Sequence, residues 1–94
     1  MEVPVVPTAY DLSQNYPNPF NPTTEFEYSL AKAGQVNVSV FNLLGQKVAD
    51  LVNTNQKAGK YRVTWNADNL PSGVYFYRLE AGSFSMTRKM LLLK

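Results

Sequence analysis

The chain of 94 residues reads as an all-β protein, an immunoglobulin-like β-sandwich of about seven antiparallel strands. Three observations predict it. Apolar residues recur with period two from Leu12 onward, turn-forming residues separate these runs at short intervals, and no run has the period or length of a helix. The domain is expected over residues 11–94, and residues 1–10 read as a linker, because Pro4 and Pro7 interrupt a short Val-rich stretch.

The first strand is expected as a short edge segment near Asp11 to Asn15, halted by a run of prolines that cannot feed a central ladder. That run, Asn15-Tyr16-Pro17-Asn18-Pro19-Phe20-Asn21-Pro22, is stiff, since each proline fixes φ and pushes its predecessor toward extended geometry. Little backbone freedom remains to be lost there, so Tyr16 and Phe20 are expected to serve as buried anchors. The second strand, about Thr24 to Leu30, points Phe26, Tyr28 and Leu30 inward and Glu25, Glu27 and Ser29 outward. The third, about Gln35 to Asn42, does the same with Val36, Val38 and Val40 against Gln35, Asn37 and Ser39.

Asn42-Leu43-Leu44-Gly45 reads as a hairpin turn with glycine at the position needing positive φ, leading to a fourth strand at about Gln46 to Leu51. Residues 53–59 read as a polar loop. The fifth strand places Tyr61, Val63 and Trp65 on its inner face. In Gly73-Val74-Tyr75-Phe76-Tyr77 the spacing is that of a tyrosine corner, whose hydroxyl bonds upstream backbone. The last strand, about Ser83 to Leu93, alternates Phe84, Met86, Met90 and Leu92 with polar residues, and Arg88 falls on the apolar parity. A rim position or a bulge accounts for it. The expected core is Phe26, Tyr28, Val36, Val38, Val40, Val48, Leu51, Tyr61, Val63, Trp65, Tyr75, Tyr77 and Leu79.

Composition narrows function. The chain has no histidine and no cysteine, which removes imidazole bases, thiol nucleophiles and the usual zinc ligands. Glu25 and Glu27 share a solvent-facing strand face, and Asp68 sits among Asn66 and Asn69 in a turn, so no carboxylate has the neighbour or dry pocket that general acid catalysis needs. The expectation is a protein that is not an enzyme, with no metal and no cofactor. A formal net charge of +2 with no basic cluster argues against nucleic acid as a partner. Met90 to Leu93 is the longest apolar run, far short of the roughly 20 residues of a membrane-spanning helix. Met1 to Pro7 has neither the basic start nor the apolar run of a signal peptide, so export would rely on a Sec signal ahead of it.

One surface feature points to a partner. Val74, Phe76, Leu91 and Leu93 share the outward parity of the last two strands, beside Arg78, Lys89 and Lys94, and no core duty explains them unless the linker or proline segment covers them. A sugar-stacking platform built from Tyr10, Tyr16, Phe20, Phe41 and Phe76 is the weaker reading, since prolines interrupt the set.

The proline run, Asn42-Leu43-Leu44-Gly45-Gln46-Lys47-Val48, residues 58–65, Leu70 to Leu79 and the closing Lys89-Met90-Leu91-Leu92-Leu93-Lys94 fall in an order that closely resembles the type A C-terminal sorting domain of the type IX secretion system. The resemblance runs from about Leu12 to Lys94 and extends to the Ig-like domain of flagellar hook-assembly scaffolds. It implies a domain that directs a larger exported cargo, encoded ahead of it in the same chain, through the periplasm of a Gram-negative bacterium and across the outer membrane to the cell surface. The partners it implies are the outer-membrane type IX translocon and a surface transpeptidase. The family marks here are Asn18, Pro19, Phe20 and Pro22, then Gly45 and Gln46, Gly73 and Tyr75, and Lys89 with Lys94, to which the apolar parity adds Phe76. A structural or adhesive module, either a surface-fibre subunit or a carbohydrate-binding accessory domain, is the alternative that residues alone leave open.

Overall fold

The computed structural model describes residues 7–94, so the first six residues of the expected linker lie outside the described residues. Seven strands form: β1 (Asp11–Leu12), β2 (Thr23–Leu30), β3 (Gly34–Asn42), β4 (Lys47–Gln56), β5 (Gly59–Asn66), β6 (Gly73–Ala81) and β7 (Phe84–Leu92). They build two antiparallel sheets, β1-β2-β5 and β4-β3-β6-β7, and the described residues contain no helix. The all-β, immunoglobulin-like sandwich expected from period two is the observed fold.

Alternation dictates the core. Phe26, Tyr28 and Leu30 from one sheet meet Val36, Val38, Val40, Tyr75, Tyr77 and Leu79 from the other, all buried. The Phe26 and Tyr77 rings lie 4.4 Å apart between the sheets. Trp65 lies 6.1 Å from Tyr75 in an edge-to-face arrangement and 5.9 Å from Phe20, a geometry that suits the ring quadrupoles.

Several expectations need correction. Val48, Leu51, Tyr61 and Val63 are only half-buried, because they lie on β4 and β5, the outermost strands on one side of the sandwich. Val48 and Leu51 are also the extra residues of two β4 bulges: Val38 faces Val52 while Ser39 faces Asp50, and Val40 faces Ala49 while Phe41 faces Lys47. Bulges twist an open edge and hinder its pairing with another chain. β4 runs on to Gln56 where a loop was expected after Leu51, because residues 52–56 pair in unbroken register with residues 34–38 of β3. β1 is only Asp11–Leu12, its ladder with β2 ending after two residue pairs. Leu12, Phe20, Ala67, Ala81, Met90 and Leu92 complete the core.

Arg88 sits at a rim with no bulge, since β6 and β7 pair continuously from Gly73 opposite Leu92 to Ala81 opposite Phe84. Its Nε donates to the Leu12 carbonyl, and the Tyr77 hydroxyl donates to the Ser13 carbonyl at 2.6 Å. These two bonds tie β1 to the opposite sheet and close that side of the sandwich.

On the outer face of β2 and β5, Glu27 pairs with Arg62 at 3.6 Å, both largely exposed. An exposed pair in high dielectric gains little. Glu27→Ala is expected to shift stability by less than about 1 kcal/mol in urea unfolding; a larger loss would place this pair in a coupled network.

Candidate recognition surface

The proline run lies alongside β7, not across the sheet face. Phe20 forms a parallel bridge with Leu92: its N–H donates to the Leu91 carbonyl and its carbonyl accepts from Leu93 N–H, both at 3.0 Å. Asn18 Oδ1 accepts from Leu91 N–H at 3.0 Å, and Gln14 Nε2 donates to the Lys89 carbonyl at 2.7 Å. Four backbone groups on the outer edge of β7 are thereby satisfied from one segment. The Phe20 ring is 2% exposed, whereas Tyr16 is 78% exposed. Tyr16 therefore anchors nothing with its ring. Its backbone does the work, exchanging N–H···O bonds with Glu25 at 2.8 and 3.0 Å.

A buried polar knot fixes the run. Asn15 Nδ2 donates to Thr24 Oγ1 at 3.0 Å and to the Pro17 carbonyl at 3.2 Å, and Thr24 Oγ1 donates to the same carbonyl at 2.9 Å. Among the described residues no buried side-chain polar atom lacks a partner, as a stable polar network requires. Pro22 is half-buried and its carbonyl accepts from Ala67 N–H at 2.9 Å, while Pro19 stays exposed.

The tyrosine corner forms as the spacing requires: the Tyr75 hydroxyl donates to the Pro71 carbonyl at 2.7 Å. Gly73 opens β6 with φ of 153°, which a residue bearing Cβ rarely adopts. Lys94 closes the same corner, its N–H donating to Ser72 Oγ at 2.9 Å and its Nζ to the Asp68 carbonyl.

The hairpin between β3 and β4 is built by three residues. Asn42 Oδ1 accepts from Leu44 N–H and Gln46 N–H at 3.0 Å each, Asn42 Nδ2 donates to Gln46 Oε1 at 2.8 Å, and Gly45 takes φ of 82°. The side chains of Leu43 and Leu44 make none of these bonds, Leu44 contributing only its backbone N–H, and the two residues are 70% and 83% exposed.

The family marks thus gather into three places: the seam of Asn18 and Phe20 with β7, the corner of Gly73, Tyr75 and Lys94, and the hairpin tip of Gly45 and Gln46. Phe76 and Lys89 stand apart from these, on the outer face of the four-stranded sheet. Register lines up Lys47, Phe41, Phe76 and Lys89 across all four strands, with Val74 opposite Leu91 in the next row. The Arg78 guanidinium lies 4.5 Å from the Phe41 ring centroid, a cation–π arrangement. Val74, Phe76 and Leu91 are half-buried by these neighbours, and Leu93 is half-exposed at 50%. Phe41 was expected on the outward parity, whereas Leu43 and Leu44 were not among the expected surface residues. The signal for the leucines was present as two large apolar residues at turn positions that are ordinarily polar.

The electrostatics of this face are mild. The Asp50 carboxyl is held below its usual range by hydrogen bonds from Lys47 and Ser39. Arg78 pairs with Glu80 at 3.1 Å. Among the described residues no group of three or more His, Cys, Asp or Glu side chains could hold a metal ion.

The chain is a small antiparallel β-sandwich whose proline run is bonded along the outer edge of its last strand. The family model that matches is the secretion system C-terminal sorting domain, over residues 14–93. The chain belongs to that family, and the domain is a C-terminal sorting signal for type IX secretion, a route that leads to the cell surface or to release. Members of the family are generally non-catalytic. No curated protein matches the chain. No helix among the described residues is long and apolar enough to cross a membrane.

Proposed function

We propose that the domain directs a larger cargo, preceding it in the same chain, across the outer membrane by presenting the outer face of β6 and β7 to the export machinery, and that it turns over no substrate itself. The observation behind this reading is the row Lys47, Phe41, Phe76 and Lys89 with its neighbours Val74 and Leu91, an apolar strip rimmed by cations on the outer face of the four-stranded sheet. Aromatic side chains fixed in a sheet lose little freedom on binding, which suits them as contact residues. The route runs through the periplasm of a Gram-negative cell, with the outer-membrane translocon as reader and a surface transpeptidase as the later processing partner.

Fused behind a Sec-exported reporter in a bacterium competent for type IX export, the intact domain is expected to bring the reporter to the cell surface. Deleting residues 89–94 would remove the buried Met90 and Leu92 together with the Phe20 seam, so loss of export by that variant would only report unfolding. Phe76→Ser and Lys89→Glu keep the core intact. Both are expected to fold and to leave the reporter in the periplasm. Surface delivery at wild-type levels by both folded variants would move the recognition surface elsewhere, with the seam at residues 18–22 next in line. A fibre subunit would instead use the outer edges of β4 and β5, and the bulged register of β4 speaks against that use.

A further inference from the structure

We infer that the β3–β4 hairpin tip, Leu43 and Leu44 backed by Lys47, seats on a phospholipid bilayer surface carrying anionic headgroups. Four large hydrophobic side chains are prominently exposed among the described residues, and three of them, Leu43, Leu44 and Leu93, lie at the same end of the four-stranded sheet. Register places them there: Asn42, next to the tip, faces Tyr75, and the adjoining Gly73 faces Leu92. The turn does not need a leucine side chain at either position, because its hydrogen bonds run through Asn42, Gly45, Gln46 and the Leu44 backbone N–H, which any non-proline residue supplies. Exposed apolar area of this kind, with no folding role, marks a surface that meets something else.

Residue types decide between a lipid surface and a protein pocket. Leucine is under-represented among the residues that dominate protein–protein affinity, and lysine is depleted from such interfaces. Aliphatic side chains at a protruding tip with lysines behind them have the opposite fit. The leucines enter the boundary between headgroups and acyl chains while the lysine stems lie along it with their ammonium groups at the phosphates. Lys47, Lys89 and Lys94 lie at this end of the sheet; among the described residues Lys47 pairs with Asp50 at 3.1 Å, the Lys94 Nζ donates to the Asp68 carbonyl, and neither Lys89 nor Lys94 has a carboxylate partner. Charge complementarity therefore favours anionic headgroups over a neutral bilayer. The turn is fixed by its own hydrogen bonds, and both leucines are already exposed. This inference does not depend on which component of the export machinery reads the Phe76 strip.

The experiment is co-sedimentation of the purified chain with vesicles of phosphatidylcholine and phosphatidylglycerol in equal parts, against vesicles of phosphatidylcholine alone. Binding to the anionic vesicles is expected, weakened by salt and weak on the neutral ones. The double variant Leu43→Ser/Leu44→Ser, which changes only exposed side chains and should keep the wild-type circular dichroism spectrum, is expected to bind roughly tenfold or more weakly. Because the chain has no cysteine, Leu43→Cys carries a single environment-sensitive label, expected to shift to the blue on the anionic vesicles. No binding by the wild-type chain would overturn the inference. So would binding that the double serine variant retains, since attraction by the lysines alone would then explain it. If the serine variant loses reporter export while the wild-type chain ignores vesicles, the tip docks on protein and the lipid assignment falls. If it loses vesicle binding yet Phe76→Ser still exports normally, the tip stands and the proposed reading of the β6–β7 face fails on its own.

Discussion

Truncating Phe20 to alanine is expected to cost about 3 to 5 kcal/mol, the range for removing a buried aromatic side chain. The ring is 2% exposed and packs 5.9 Å from Trp65, so no solvent-facing relaxation can fill the space it leaves. For a domain of this size that loss lowers the melting temperature by roughly 12 to 40 °C, at about 4 to 8 °C per kcal/mol. It approaches the whole stability of about 5 to 15 kcal/mol that small domains have. The damage should also be local, because the Phe20 backbone supplies two of the bonds along the outer edge of β7. Amide exchange of Leu93, which donates to the Phe20 carbonyl, is expected to accelerate before global unfolding. Tyr16→Ala is the internal comparison: five residues of the same proline run, Tyr16 to Phe20, contain both rings, yet this one is 78% exposed, and its loss should stay within about 0.5 kcal/mol. Urea midpoints of the two variants measure the difference directly, and a Phe20→Ala midpoint close to wild type would mean that the seam contributes little to the fold.

The contrast between Phe20 and Tyr16 also marks what the sequence could disclose. Local rules identify a stiff, extended segment, but which ring turns inward is settled by β7, more than seventy residues away in the chain. Strand parity was legible wherever both neighbours of a strand are themselves in the sheet, as for β2, β3 and β6, whose inward residues are all buried. It failed on β4. Asn53, Thr54 and Asn55 have loop composition, and only their pairing with Asn37, Val36 and Gln35 makes them strand. The two bulges follow from long-range register, which no local pattern encodes. The same gap explains the surface. Phe76 and Lys89 could be put on one outward face from parity alone, whereas their alignment with Phe41 and Lys47 required knowing that β3 pairs with β6. Leu43 and Leu44 were visible as letters in a turn, but their consequence appears only when the hairpin is seen to be held without their side chains.

Alkaline titration is expected to destabilise the domain through Tyr77. Burial pushes its hydroxyl up to about 12, outweighing the lowering effects of a hydrogen bond with the Asn15 backbone and of the Arg88 charge. The folded state thus resists ionisation that the unfolded chain undergoes near pH 10. Below that pH the phenol is neutral in both states and its contribution to stability is fully present. Between about pH 10 and 12 the unfolded chain binds fewer protons than the folded one, so stability falls with rising pH, by roughly 2 to 3 kcal/mol over the interval for this group. Tyr28 is shifted upward for the same leading reason and adds to the slope. Tyr77→Phe separates the group from the general loss of lysine charge at high pH. At neutral pH that variant leaves the Ser13 carbonyl without its 2.6 Å donor and is expected to lose about 1 to 3 kcal/mol. As the pH rises past 10 the wild type should converge on it, because phenylalanine cannot ionise. Urea midpoints of both proteins, measured stepwise from pH 8 to pH 11.5, test this; parallel curves with no convergence would mean that the Tyr77 hydroxyl is open to solvent and does not hold β1 against the opposite sheet.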